Sequence, residues 1–361
     1  MSQPTEQQVM EALSKVNDPE LHRDLVSLDM VKDLRIEPEG KVSLRVDLTT
    51  PACPMKDRIR EDVEAAVRAV PGVKEVNLTF GAQVRRAQRE AETLIPQVKH
   101  VILVGAGKGG VGKSTVALNL AVALQQEGAK VGLLDTDFYG PSVPLMTGLD
   151  QKPTSKDGRT LEPLEAHGLK VMSIGFLVDP DQAMVWRGPM LHSAVTQLLR
   201  DVNWGALDYL VLDLPPGTGD VPLSLSQLVK ASGIVLVSTP QDVALADVVK
   251  AKTMFDRVSI PILGLVENMS SFACPHCSGT TSIFSEGGGR KAAEAMGIPL
   301  LGEIPLDLAI RVGGDKGVPV TVEHPDSAQA RAFREMARKV AGRISVETHQ
   351  VRLPIFQMGA R

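Results

Sequence analysis

Apolar and polar positions follow two different grammars along this chain, and the change falls close to residue 100. Before it, helical and two-residue periods alternate on a small scale. Val9, Leu13 and Val16 recur at helical spacing over Glu6–Val16, and the pattern stops at Asn17-Asp18-Pro19. Val31–Ile36 reads as a strand. The turn Glu37-Pro38-Glu39-Gly40 then leads into Val42, Leu44, Val46 and Leu48, the two-residue period of a hairpin partner. Ile59, Val63 and Val67 predict a helix that starts just after Pro54, where the fixed φ of proline is tolerated. Pro71-Gly72 ends it, and Val73–Phe80 reads as a further strand. Residues 1–82 are therefore expected to form a small α+β domain. Residues 83–98, rich in Arg, Gln and Glu and punctuated by Pro96, are expected to form a linker.

Beyond it, short apolar runs alternate with helical patterns. The runs are Val101–Val104, Val131–Leu134, Leu169–Ile174, Tyr209–Leu212, Ile234–Val237, Ile262–Val266 and Leu300–Ile304. Runs of this kind, bounded by turn residues, suit buried parallel strands. The expected class is α/β, a mainly parallel sheet covered by helices on both faces, over residues 99–345. Asp326–Ile344 reads as a closing amphipathic helix, and residues 346–361 as a tail.

Composition narrows the function classes. A chain of 361 residues suggests about two domains. A formal net charge of -4 gives no overall basic field for nucleic acid, and 3% aromatics offer little base stacking. Three cysteines, Cys53, Cys274 and Cys277, are no disulfide framework and suit a reducing compartment. The first residues lack the basic and apolar regions of a signal peptide, and no apolar run approaches the roughly 20 residues of a membrane span. A cytoplasmic protein with neither nucleic-acid nor membrane partners is expected.

The strand Val101–Val104 runs into Gly107-Lys108-Gly109-Gly110-Val111-Gly112-Lys113-Ser114-Thr115, and a helical pattern follows. This is the G-x-x-x-x-G-K-[ST] phosphate loop in its strand–loop–helix context. Glycines let successive N–H groups turn toward phosphate oxygens, and the helix N-terminus favours an anion. Lys113 would reach the β and γ phosphates of ATP, and the Ser114 hydroxyl would ligate Mg²⁺. Lys108 is a second lysine that a generic loop does not need. With it the loop resembles the "deviant Walker A" pattern of MinD and ParA ATPases, the nitrogenase iron protein and the Mrp/ApbC-type iron–sulfur carriers. In those families that lysine crosses a dimer interface to the partner's phosphates.

Three carboxylates stand at strand ends, where ligands of open α/β sheets gather. Asp135 and Asp137 follow Val131–Leu134, and Asp213 ends Tyr209–Leu212. Mg²⁺ keeps several waters, so Asp135 is a candidate for holding it through water, or else a turn or cap residue. The resemblance implies that Asp137 orients the attacking water, that Asp213 sits near Mg²⁺ and that Gly217 belongs to a second switch. Asn268, in Glu267-Asn268-Met269, offers donor and acceptor to an adenine edge and resembles the base-binding asparagine of these families. Glu303–Asp307 is a further candidate for lining the base.

Cys274-Pro275-His276-Cys277 places two thiols within reach of one metal or cluster, but supplies only two of four ligands. Spacing alone leaves several readings open: a redox dithiol, half of a zinc site or half of a cluster site completed across a two-fold axis, or two inert cysteines. The combination of Gly107–Thr115, Asp213–Asp220 and Val266–Ser270 leading into the cysteine pair closely resembles the Mrp/ApbC-type carriers. So does Ile283–Gly289, although Ser285 stands where the family commonly has glycine. Asp18-Pro19-Glu20 and Thr50–Pro54 resemble the small cluster-assembly domain that precedes the ATPase in many bacterial carriers, with Asp29 in place of the usual glycine.

The resemblance implies a homodimer bridging a 4Fe–4S cluster through Cys274 and Cys277 of each subunit. It also implies a cluster-assembly scaffold as donor, apo iron–sulfur proteins as recipients, and ATP hydrolysis accompanying transfer. A MinD/ParA-like positioning ATPase and a zinc-stapled dimeric scaffold are the alternatives. Cys53, ahead of a helix, is either a lowered-pKa thiol that relays a cluster or a small buried residue.

Overall fold

A computed structural model of the chain describes residues 4–84, 94–178, 188–217, 225, 228–274, 276–277 and 279–349. Contacts divide it into two units, Met1–Gln88 with Gly342–Arg361, and Arg89–Ala341.

In the first unit, helix α1 (Glu6–Leu13) opens on a capping box: Gln8 N donates to Thr5 Oγ1 and Thr5 N to Gln8 Oε1. Strands β1 (Val31–Glu37) and β2 (Lys41–Leu48) pair antiparallel. Helix α2 (Lys56–Arg68) then crosses over to β3 (Glu75–Ala82), which lies parallel to β2. Val42, Leu44, Val46 and Leu48 all face inward, and Ile59, Val63 and Val67 of α2 are fully buried in the same core. Asp29 adopts a left-handed backbone, φ 57°, and its carboxylate receives Lys32 Nζ at 2.7 Å. That conformation explains why glycine is common at this place in similar domains: without a Cβ it enters this region freely, and Asp is one of the few other residues to do so.

The second unit contains β4 (Val98–Ala106), α3 (Lys113–Gln126), β5 (Val131–Asp135), the short α4 (Val143–Thr147), β6 (Leu164–Ala166), β7 (Leu169–Ser173) and α5 (Gly188–Arg200). It continues through β8 (Leu207–Asp213), β9 (Gly233–Ser238), α6 (Asp242–Arg257), β10 (Ile262–Ala273), β11 (Thr280–Thr281), α7 (Gly288–Met296), β12 (Leu300–Leu306), α8 (Leu308–Lys316), α9 (Val320–Glu323) and the start of α10 (Ala328–His349). Among the described residues the sheet order is β6-β7-β5-β8-β4-β9-β10-β12, with β11 folded onto the end of β10. Every pairing is parallel except β6 on β7 and β11 on β10. All residues of β5 and β9 are buried, so neither face of the sheet is open there, and continuous apolar runs result. The α/β class is as expected.

Two elements outrun their sequence pattern. β10 continues past Val266 to Ala273, because Glu267 and Asn268 are buried with hydrogen-bond partners and do not end the strand. α10 continues to His349, beyond the expected end near 345. Ile344 is buried one turn earlier, and the last turn folds its polar side chains back on the helix, Thr348 Oγ1 donating to Ile344 O. The remainder of the expected tail and most of the expected linker lie outside the described residues. Among the described residues, no helix is long and apolar enough to cross a membrane.

Candidate functional site

The adjacent strands β5 and β8 end level with one another, Asp213 standing opposite Asp135, while β4, where Val104 is opposite Asp213, runs on to Ala106. The glycine loop leaves β4 at that edge. Gly110 and Gly112 take φ values of 80° and 81°, which favour glycine. A Cβ on Gly107 would lie 2.3 Å from the backbone of Asp247 in α6, so the loop passes that helix with no room to spare. Asn268 Nδ2, from within β10, two strands away from β4, donates to Val111 O at 2.8 Å. The loop then feeds directly into α3, whose first residue is Lys113.

Lys113 is the electrostatic centre. Its Nζ donates to Asp213 Oδ1 at 2.7 Å and to Ser114 Oγ at 3.2 Å, and Asp137 Oδ2 lies 3.7 Å away. Burial pushes the Asp213 carboxyl upward, and the ammonium of Lys113 opposes that shift. Asp213 Oδ2 is buried without a hydrogen-bond partner among the described residues. An orphaned carboxylate oxygen beside a serine hydroxyl suits a hard divalent cation with its waters, so these residues fit Mg²⁺. The fit extends to a polyphosphate, because exposed Gly109 and Gly110 stand at the mouth of the loop and the N-terminus of α3 lies beneath it. Lys108 is half-exposed on the loop itself.

Asp135 is engaged with the protein on both oxygens. Its Oδ1 accepts from Asp137 N at 2.9 Å, and its Oδ2 from Val143 N at 3.2 Å and Ser173 Oγ at 3.1 Å. Both carboxylate oxygens thus anchor the loop that carries Asp137 and the start of α4, which is the turn or cap role open to this residue. Burial and the nearby Asp213 raise its pKa to about 7. The Gly217 amide donates to Ala106 O at 3.0 Å with φ 90°, and residues 218–220 lie outside the described residues.

The cysteine pair lies on the far end of β10, the strand that holds Asn268. Cys274 N donates to Gly279 O at 3.0 Å, and Phe272 pairs with Thr281, so the pair sits in a hairpin. Cys274 is half-buried; Cys277 and His276 are exposed. The backbone N–H groups of His276 and Cys277, and then the Cys277 side chain, lower the Cys274 thiol below its ordinary value. No group of three metal-ligating side chains exists among the described residues.

A family model described as the NUBPL iron-transfer P-loop NTPase matches residues 97–341, more than half of the chain. This chain belongs to that iron-transfer P-loop NTPase family. The resemblance to the Mrp/ApbC-type carriers is thereby borne out. A second family model, an iron–sulfur cluster assembly protein, matches residues 6–78. An iron–sulfur cluster carrier protein of Deinococcus radiodurans is 55% identical over 342 residues, covering 94% of this chain and 96% of that protein. Among solved structures, a nucleotide-binding protein of Archaeoglobus fulgidus in complex with ADP is similar at 42% identity and a TM-score of 0.57, covering 66% of this chain and 93% of that one. The cell division ATPase MinD of Pyrococcus furiosus is similar at 25% identity and a TM-score of 0.52, covering 67% of this chain and 98% of its own.

In this iron-transfer NTPase the loop residues Gly107–Thr115, Asp137, Asp213 and Asn268 converge on one sheet edge, while Cys274 and Cys277 stand apart at a hairpin. Asp307, expected near the base, accepts from Ala309 N at 2.7 Å and caps α8. Cys53 is corrected. It is buried, and desolvation, with the charges of Glu20 and Asp18, pushes its thiol up to about 12, the opposite of an activated thiolate. Sequence reasoning missed Ser173, which holds Asp135. It also missed Thr136, whose hydroxyl donates to Asp213 O at 2.8 Å, and Glu267, which neighbours Asn268. For Thr136 the signal was its place between two aspartates; nothing local marks Ser173.

Proposed function

We propose that this chain is an ATP-hydrolysing iron–sulfur cluster carrier. The cluster is its cargo, received from an assembly scaffold and passed to apo-proteins. The observation that carries this reading is that one strand holds both Asn268 against the phosphate loop and the Cys274/Cys277 hairpin at its end. A single chain offers two thiolates where a cluster takes four ligands, so the reading requires a second copy across a two-fold axis. Lys108 supports such pairing, as a cation on the loop that a lone nucleotide site does not need.

In this reading Lys113 leaves Asp213 for the β and γ phosphates. Asp137 then orients a water toward the γ-phosphorus; a P–O bond to that water forms as the bond to the β-phosphate oxygen breaks, giving ADP and phosphate. Ser114 and Asp213 are the residues that would hold Mg²⁺, which neutralises charge on the phosphate oxygens. Asp135 keeps Asp137 in place.

The experiment is anaerobic reconstitution with iron and sulfide. The wild-type chain should acquire visible charge-transfer absorption that Cys277→Ala abolishes, and the loaded protein should activate an apo-dehydratase. Zinc bound in place of iron under anaerobic handling would sink the carrier reading and favour a stapled scaffold. ATP-dependent sedimentation with liposomes, without iron uptake, would favour a positioning ATPase.

A further inference from the structure

The cysteine hairpin is gripped at its base from two sides. Glu267 and Asn268 are consecutive residues of β10, so their side chains leave the sheet on opposite faces. On one face Asn268 holds Val111 O of the phosphate loop. On the other, the Glu267 carboxylate, only 1% exposed, accepts from Gly289 N in the first turn of α7. An anion is well placed there, because the N-terminal N–H groups of a helix are otherwise unpaired.

The chain between these two residues is the hairpin. It runs along β10 past Met269, where φ is 58° and the register against β12 slips, to the end of the strand at Ala273. It then passes Cys274 and Cys277 and returns through β11. The bond from Gly289 to Glu267 closes this excursion across 22 residues. The return limb is shaped for the closure. Gly287 takes φ 66°; a Cβ on Gly288 would stand 2.4 Å from Pro240 O; a Cβ on Gly289 would stand 2.6 Å from Glu267 Oε2. Ser285 Oγ donates to the same Pro240 O at 2.8 Å. Ser285, which departs from the family's usual glycine, is thus a second fastening of the limb.

We propose that Glu267 is a positioning residue for the cysteine pair: it fastens the return limb of the hairpin to the strand that grips the phosphate loop, and so fixes how Cys274 and Cys277 are presented. The inference rests on reading those cysteines as cluster ligands. Glu267 acts through its hydrogen bond from Gly289.

The test uses the full-length protein with Glu267→Ala, Glu267→Gln and Ser285→Ala. After anaerobic loading, Glu267→Ala should lose iron to a chelator about fivefold to tenfold faster than wild type, the worth of one ordinary hydrogen bond. Its visible circular dichroism should change, and its ADP affinity should stay within about twofold, as expected for a site whose own contacts are untouched. Glu267→Gln keeps an acceptor oxygen and should restore both the spectrum and the slow iron loss. Iron loss and dichroism equal to wild type in Glu267→Ala would overturn the proposal, as would a matching collapse of ADP affinity, which would mark a general structural role. If Glu267→Ala does not fold, Ser285→Ala carries the test with the same readouts and a smaller expected effect, and a wild-type spectrum and iron loss there would overturn the proposal. If the wild type itself takes up no iron, the carrier reading fails while this one remains testable. Cys274 should then be alkylated by iodoacetamide at a different rate in Glu267→Ala, and an unchanged rate would overturn it.

Discussion

Replacing Glu20 by glutamine should remove a pH dependence from the N-terminal unit. Glu20 Oε2 lies 3.9 Å from Cys53 Sγ, and burial together with the charge of Asp18 raises its carboxyl from 4.5 to about 7. An acid whose pKa is higher folded than unfolded binds its proton more tightly in the folded state. The stability it contributes is therefore fully present below about 4.5 and is lost as pH rises through about 7. The difference between those values, at ~1.36 kcal/mol per pH unit, sets a ceiling of about 3 kcal/mol. The side chain is still partly open to solvent, which reduces the expected effect to about 1–2 kcal/mol. Urea titration at about pH 5 and about pH 8, followed through hydrogen-exchange protection of the Lys41–Leu48 amides, assigns the transition to this unit. The wild type should lose that increment between the two pH values and Glu20→Gln should not. Equal losses in the two proteins would refute the reasoning.

Lys113→Ala should abolish detectable ADP binding by calorimetry. It should also lower stability in urea by about 3 kcal/mol, since Asp213 is left buried without its cation. Gly112→Ala forces an L-residue to φ 81° and drives a Cβ to 2.2 Å from Asn268 Nδ2, so ADP affinity should fall at least about tenfold, the equivalent of the 1–2 kcal/mol left-handed strain. Asp135→Ala should slow ATP hydrolysis with little change in ADP affinity, because it releases the Asp137 loop and leaves the phosphate loop intact; a comparable loss of ADP affinity would return Asp135 to the nucleotide site. Cys53 should resist iodoacetamide at neutral pH in the native protein while Cys277 reacts, as mass spectrometry of digested samples would show.

What could be read from the sequence was local. Gly107–Ser114 needs only its own spacing to be recognised, and the strand before it and helix after it are periodic. The alternation from Val42 to Leu48 carried its register within itself. What could not be read depends on partners distant along the chain. Glu267 and Asn268 look like the end of a strand because both are polar. They stay in the sheet because Asn268 meets Val111, 157 residues away, and Glu267 meets Gly289, 22 residues away. The anchoring role of Asp135 was hidden in the same way, since one of its partners is Ser173, 38 residues later. Cys53 is a further case: its place ahead of a helix left a thiolate and a buried residue equally open, and the choice depends on a carboxylate from 33 residues earlier beside which the fold buries it.

The kink at Met269 has a mechanical consequence. From Asn268 to Cys274 the strand advances six residues, about 20 Å at 3.3 Å per residue. The hairpin is therefore a lever with its pivot beside the phosphate loop. A rotation of about 10° at the pivot, within the range by which neighbouring strands twist, would carry the thiols about 3.5 Å. On the proposed carrier reading, a displacement of that size would decide whether the thiols reach a shared cluster.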